Sequence, residues 1–327
     1  MLINTISEVK AVLRVSSLDD NSSIPDIALA EETYIIPVIG QALYDDISTK
    51  YGDNTLSNLE RDLLYKIHKP LAAYAYYDDL PLHNAIITDA GVRKFDSDNM
   101  PSAHRWHVDQ LRDRLLSIAL QGIESLYGFL EANAASFPLW TASDGYKRRN
   151  RFLIKSAMDF NDQYNVYHPF RTYNAILPIM GDVEAMYVNQ TIGQTFFEAL
   201  KANASPSAAE KVVIADLKKA IAQLCMHHAI EKLPVKITDK GITMYNSATE
   251  AADQTAQQAS ADLMNLTMKA TRRDGQAYLS KAKEYLDANA SPTVFATYYA
   301  SAYYAAPVAD ADRVDTNSQH KTFSFIR

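Results

Sequence analysis

Apolar residues recur every three or four positions along much of this chain, the period of helices with one face turned to a core. Leu59, Leu63, Leu64, Ile67, Leu71 and Tyr74 mark one such stripe, on a helix reaching about Asp79. Leu111, Leu115, Ile118, Ile123, Leu126 and Leu130 mark a second helix of about thirty residues. The pair returns later as Ile214, Leu217, Ile221 and Leu224, then Leu263, Leu266, Leu279, Tyr285 and Leu286. Helix starts are legible where Ser or Thr stands three residues before Glu, because the two side chains then satisfy exposed backbone donors reciprocally. Thr5 with Glu8, Ser57 with Glu60, Ser207 with Glu210 and Ser247 with Glu250 all qualify, and Pro25, Pro101 and Pro206 stand at or near helix starts.

Between the paired helices the period changes. Ala85 to Phe95 (AIITDAGVRKF) and Val235 to Tyr245 (VKITDKGITMY) place β-branched residues on both sides of an Asp-x-Gly turn, which predicts a small hairpin. A two-stranded ribbon is marginal alone in water, so each is expected to pack on helices or pair with a neighbouring molecule.

These correspondences belong to a tandem repeat. Tyr34 to Ile47 (YIIPVIGQALYDDI) matches Tyr187 to Leu200 (YVNQTIGQTFFEAL) at an offset of 153, shared by Ile24-Pro25 with Leu177-Pro178 and by Leu80-Pro81 with Leu233-Pro234. The ITD-x-G motifs lie 150 apart, and Phe129 to Ala134 (FLEANA) matches Tyr285 to Ala290 (YLDANA) at 156. The expected fold is mainly α: a helical bundle over residues 1–142 with a hairpin near 85–95, a second over 147–304 with a hairpin near 235–245, and an extended C-terminal arm over 305–327.

Composition narrows the function classes. A chain of 327 residues, 47% hydrophobic and 22% charged, with 10 Gly and 12 Pro, has the makeup of a globular helical protein. A formal charge of −7 argues against general affinity for phosphate backbones or anionic membrane. A single cysteine, Cys225, excludes an intramolecular disulfide and any multi-cysteine metal site. Met1 to Leu13 is interrupted by Glu8 and Lys10 where a signal peptide needs an apolar core, and no apolar run approaches the ~20 residues that span a bilayer, so a protein folded in cytoplasm is expected.

Candidate chemistry is sparse, and no cofactor, metal or catalytic residue is expected. His104-x-x-His107 has zinc-compatible spacing but lacks an accompanying Glu and has no counterpart in the second copy. Cys225 with His227 and His228 suggests a nucleophile and base only superficially, since such spacings point to different helix faces; at an offset of 153 their counterparts are Ala72, Tyr74 and Ala75, which suits packing. Gly40 and Gly193 lack the lysine and further glycines of a phosphate loop and read as close helix contacts or turns. Lys147, Arg148, Arg149 and Arg151, in the polar junction Thr141 to Arg149 and just after it, form the only dense basic cluster: a solvated linker, or a contact to DNA or an acidic partner. The 20 tyrosines are many for a helical protein, and tyrosine is favoured at interfaces. The arm ends in Phe323, Phe325 and Ile326, a pattern suited to adding a strand or filling a groove on another subunit. By motif position the interface candidates are Tyr34, Gly40, Asp89, Gly91, Tyr187, Gly193, Asp239, Gly241, Phe323, Phe325 and Ile326.

Thr5 to Tyr44 (TISEVKAVLRVSSLDDNSSIPDIALAEETYIIPVIGQALY) resembles the opening of the head-tail connector, or head-completion adaptor, proteins of tailed bacteriophages, through Thr5, Glu8, Val9, Lys10, Leu13, Arg14, Asp19, Asp20, Tyr34, Ile35 and Gly40. Members of that family commonly carry one bundle; this doubled, tyrosine-rich form looks like neck proteins of phages from Bacteroidetes-type hosts, and its second copy lacks the opening motif. The resemblance implies a non-catalytic virion subunit, assembled in the host cytoplasm into a homo-oligomeric ring, commonly a dodecamer. Its implied partners are the portal protein, a tail or second neck protein, and DNA that passes without sequence-specific binding; no membrane is implied. An acidic channel wall would let that DNA slide. The alternative from another class is a cellular tandem helical-bundle binding module without catalysis.

Overall fold

The structure, a computed structural model, describes residues 1–13, 25–83, 85–88, 91–94, 105–233, 235–238, 241–244 and 261–307. Pro101, His104, the box Ser247–Glu250, Asp89, Asp239 and the arm from residue 308 onward lie outside them.

The chain opens with α1 (Ile6–Leu13), α2 (Ile27–Ala30), a π-turn (Glu31–Ile35), α3 (Ile36–Ile39), α4 (Gln41–Gly52) and α5 (Asn58–His83). Next come a ribbon of β1 (Ala85–Thr88) and β2 (Gly91–Lys94), then α6 (Arg105–Ala132), α7 (Pro138–Thr141), α8 (Asp144–Asn150), α9 (Ala157–Gln163) and α10 (Pro169–Val183). The sequence of elements then returns: a second π-turn (Glu184–Val188), α11 (Asn189–Ile192), α12 (Gln194–Ala202), α13 (Ala208–Lys232), the ribbon β3 (Val235–Thr238) and β4 (Gly241–Met244), α14 (Ala261–Asn289) and α15 (Ala296–Tyr299). The fold is mainly α and tandemly duplicated, with one antiparallel ribbon in each copy. Both ribbons have the same register, Thr88 opposite Gly91 and Thr238 opposite Gly241.

The capping boxes form as the sequence requires. Glu8 accepts from the Thr5 amide at 2.9 Å, Glu60 from the Ser57 amide at 2.8 Å and Glu210 from the Ser207 amide at 2.7 Å, while each hydroxyl accepts in return. Both long helix pairs meet closely through a glycine. A Cβ on Gly122 would lie 2.8 Å from the Pro70 ring, and one on Gly275 would lie 2.7 Å from Leu224.

Burial corrects part of the repeat alignment. Leu63, Ile67, Leu71, Ala72 and Ala75 are buried on α5, as are Val213, Leu217, Ile221, Ala222 and Cys225 on α13, a uniform offset of 150. The three-residue loss therefore falls where α12 is shorter than α4, before the long helix. Leu80-Pro81 sits inside α5, whereas Leu233 follows the end of α13, so this pair at 153 is not equivalent. Cys225, His227 and His228 correspond to Ala75, Tyr77 and Asp78, not to Ala72, Tyr74 and Ala75. On α6 and α14 the buried sets Leu115, Ala119, Ile123, Leu126, Leu130 and Thr271, Gly275, Leu279, Ala282, Leu286 keep the offset of 156 read from FLEANA and YLDANA.

The chain forms two compact units, Met1–Pro178 with His227–Met268, and Ile179–Met226 with Lys269–Arg327. The first has its core between α5 and α6, closed by fully buried Trp140. The second is built on α12, α13 up to Met226 and α14 from Lys269, with Phe197, Leu217, Leu286 and Tyr298 inside.

Candidate functional site

The most specific duplicated feature is the helix break at Ile-Gly-Gln. Gly40 and Gly193 end α3 and α11 with φ of 83° and 84°, and their ψ of 148° and 137° put both close to backbone space that is essentially glycine-only. A side chain there would also collide: a Cβ would meet Ser143 at 2.8 Å in the first copy and the Tyr303 ring at 2.8 Å in the second. The segment after α6 thus covers the break in the first copy, and the segment after α14 covers it in the second. In the first, the Trp140 indole N–H also donates to the Val38 carbonyl at 3.1 Å. In the second, Tyr298 donates to Asp287 at 2.6 Å and packs on Phe196 with ring centroids 5.3 Å apart.

One helical turn before each break, ahead of α3 and α11, lies the π-turn, and its first residue is a buried acid: Glu31, 2% exposed, and Glu184, 5% exposed. Pro37 follows the first turn, but Gln190 occupies its place in the second, so a missing proline amide is not the shared cause. The shared element is the carboxylate. Glu31 accepts from the Leu2 amide and from the Tyr44 hydroxyl at 2.6 Å, and burial together with Glu31 holds that phenol well above its usual range. Glu184 accepts from the Lys201 ammonium at 3.1 Å. The sequence reading passed over both acids, although their common offset of 153 was available as a signal.

The basic cluster does not act as one group. Lys147, Arg148 and Arg151 are exposed, whereas Arg149 is 5% exposed, ion-paired with Glu131 and 4.6 Å from the Tyr127 ring centroid. Tyr173 donates to the carbonyl oxygens of Arg149 and Ile154 at 3.1 and 2.7 Å. The junction is therefore no simple solvated linker: it is folded into α7 and α8 and bolted to α6 and α10. Burial pushes the Glu131 carboxyl up, against the opposing pull of Arg149. Asp287, at the equivalent place in the second copy, collects Lys283, Tyr298 and the Ala305 amide.

Of the remaining interface candidates, Tyr34 stacks on Tyr74 with centroids 3.8 Å apart and donates to Asp78 at 3.2 Å; burial and that carboxylate push its phenol up to about 12. Tyr187 is half-buried, and its carbonyl accepts from the Thr191 hydroxyl. Gly91 and Gly241 begin β2 and β4. Asp89, Asp239, Phe323, Phe325 and Ile326 lie outside the described residues.

Cys225 is fully buried, and burial, with Glu184 nearby, raises its thiol well above the normal value, which disfavours the nucleophilic thiolate. His227 donates through Nδ1 to the Met268 carbonyl at 3.0 Å. His107 is exposed and lies against Trp106. Among the described residues no group of three or more His, Cys, Asp or Glu is placed to hold a metal ion, and no helix is long and apolar enough to cross a membrane.

Neither a search of curated proteins nor one of solved structures returns a match. A family match does appear, twice, over residues 35–150 and 185–308, each span running from the π-turn through the helix break and the ribbon to the segment that follows α6 or α14. The chain belongs to the family of unknown function DUF6712 and carries its domain in tandem.

Proposed function

We propose that this chain is a non-catalytic structural subunit of a phage head-tail connector. It assembles as a homo-oligomeric ring, commonly of twelve, beneath the portal protein, lines part of the DNA channel and joins the capsid to a tail or second neck protein. One observation carries the reading: the two copies keep shape while exchanging chemistry. The backbone break at Gly40 recurs at Gly193 within one degree of φ, yet Ser143 is replaced by Tyr303 as its cover and Tyr44 by Phe197 beside the buried acid. An active or ligand-binding site duplicated in this way is constrained through its reacting groups. A scaffold is constrained through the direction of its helices.

The capped α1 supports the same reading, since Thr5 and Glu8, two residues of the connector-like opening, form its box. Assembly takes place in the host cytoplasm and the product resides in the virion neck, with no membrane involved. The test is peptide counting in purified particles of the phage that encodes the chain. The expected result is stoichiometry near that of the portal, with rings of the purified chain in negative-stain images. Absence from particles overturns the proposal.

A further inference from the structure

Beside the first helix break lies a cavity of about 240 Å³, walled by α3, α6, α7, α8 and α10. Two kinds of wall meet in it. Val38 and Leu177 are apolar, and Trp140 and Tyr146 stand edge to face with ring centroids 4.8 Å apart. Arg148, Arg149 and Asn174 form the polar side, and among the described residues that line the cavity none is acidic. Arg149 is the informative member. It is buried, Glu131 takes one of its amino groups, and its Nε has no hydrogen-bond partner. A buried donor on a charged group is costly to leave without an acceptor, and such groups are rare in folded proteins. Glu131 is not among the residues that line this cavity, so an acceptor placed inside would complete the guanidinium without displacing it.

We infer that this cavity is a binding site for a small aromatic monocarboxylate, with its ring against Trp140 and Leu177 and its carboxylate on Arg148 and the Arg149 Nε. Size and charge select that class. A cavity of about 150 Å³ holds one benzene ring, so this one has room for a ring and a carboxylate but not for the drug-sized ligands that need roughly 300–1,000 Å³. A phosphate would bring a second charge, whereas one of the two arginines is already paired with Glu131. The site belongs to the first copy. At the offset of 156 Tyr127 gives way to Lys283, and at 153 Pro37 and Val38 give way to Gln190 and Thr191. It is independent of the connector reading, and either can fail without the other.

The experiment uses the full-length chain with Trp106→Phe, which leaves Trp140 as the sole tryptophan, and follows its emission during titration with benzoate, benzamide, acetate and inorganic phosphate. Benzoate should give a saturable change. Benzamide keeps the shape without the charge, acetate the charge without the ring, and each should bind at least about tenfold more weakly. Arg148→Gln, at an exposed position, should weaken benzoate by about tenfold and leave benzamide unchanged. A Cβ on Gly145 has room, with the Pro37 carbonyl nearest at 3.5 Å, so Gly145→Leu should occupy the cavity and abolish the response with helical circular dichroism retained. No saturable response to benzoate overturns the site, as does undiminished binding in a folded Gly145→Leu chain. Benzamide binding as tightly as benzoate, or Arg148→Gln without effect, overturns the role of the arginines. Phosphate binding as tightly as benzoate overturns the monocarboxylate class. Should Gly145→Leu fail to fold, Arg148→Gln with benzoate against benzamide decides alone.

Discussion

Glu31 and Glu184 open the two π-turns from equivalent places in the repeat, and both are buried, yet their donors differ in kind. The first is held by an amide and a phenol; the second is held by an ammonium, Lys201, which also contacts Glu198 at 2.7 Å and lies 4.8 Å from the Phe197 ring centroid. Position by position, Tyr44 and Ser48 in the first copy face Phe197 and Lys201 in the second. A donor lost on one turn of the helix is replaced by a donor one turn later, so what the duplication preserved is satisfaction of a buried carboxylate rather than any particular partner. Removing a cation beside a buried acid takes away its charge-assisted partner, which is costlier than removing one of several neutral donors. Lys201→Ala should therefore be the most damaging single change, lowering stability by roughly 3–5 kcal/mol in urea titrations. A loss below about 1 kcal/mol would mean that Glu184 is carried by other groups and that the two copies are alike after all.

The glycine breaks come next in size. Gly40→Ala and Gly193→Ala should each cost roughly 1–3 kcal/mol from backbone conformation alone. The collision partner then separates them. Ser143 contacts through its own Cβ and can yield only with α7 and α8, while Tyr303 offers a ring edge that can swing away. Gly40→Ala should accordingly be the worse of the two, and Gly193→Ala should displace the Tyr303 ring, shifting its aromatic NMR resonances, without unfolding the chain. Equal costs with no change at Tyr303 would show that the cover has no part in holding the break.

Much of this was open to inspection in the sequence, and what escaped did so for physical reasons. Long helices, boxes and ribbons depend on neighbours a few residues apart, so Ser57 with Glu60 and the ITD-x-G turns could be read directly. The Ile-Gly-Gln repeat pointed to the break but not to its cover, because Gly40 meets Ser143 and Gly193 meets Tyr303 more than a hundred residues later in each copy. The charged run at 147–151 misled for a related reason. A helix turns 100° per residue, so the three adjacent cations Lys147, Arg148 and Arg149 on α8 cannot share a face, and of these Arg149 alone points inward to Glu131. The Leu-Pro marker repeats residue identity alone, whereas burial, which repeats at 150 along α5 and α13, is what packing maintains.

A smaller effect tests whether the exchange of donors is transferable. Tyr44→Phe imports the second copy's residue into the first and leaves Glu31 with one donor fewer, at a cost of about 1–2 kcal/mol. Adding Ser48→Lys should restore part of that loss. The gain is limited because Ser48 receives the Met1 amino group at 3.4 Å, and a lysine there sets two cations together. A double-mutant coupling near zero would separate positions 44 and 48 and undo the comparison with Phe197 and Lys201.

The capping boxes give the mildest contrast, and it is one of pH. Glu60 is held down to about 2 from the usual 4.5, first by Lys50, 2.6 Å away, then by the Ser57 amide and hydroxyl against an opposing effect of burial. Glu210 has no lysine; its carboxyl is lowered chiefly by the Ser207 amide, with Asn203 donating at 3.2 Å. A carboxyl whose folded value lies below its unfolded value stabilises the fold above the unfolded value, and that contribution fades as pH falls toward the folded one. For Glu60 the loss should run between pH 4.5 and about 2. Its size should be about 1 kcal/mol, since Lys50 is partly exposed and water screens the pair. Carboxyl-carbon NMR should resolve the two glutamates, with Glu60 titrating lower. Lys50→Met should move the Glu60 midpoint up toward that of Glu210 and leave Glu210 in place. If Glu60 keeps its low midpoint without Lys50, the box alone accounts for it, and the two helix starts differ in sequence but not in electrostatics.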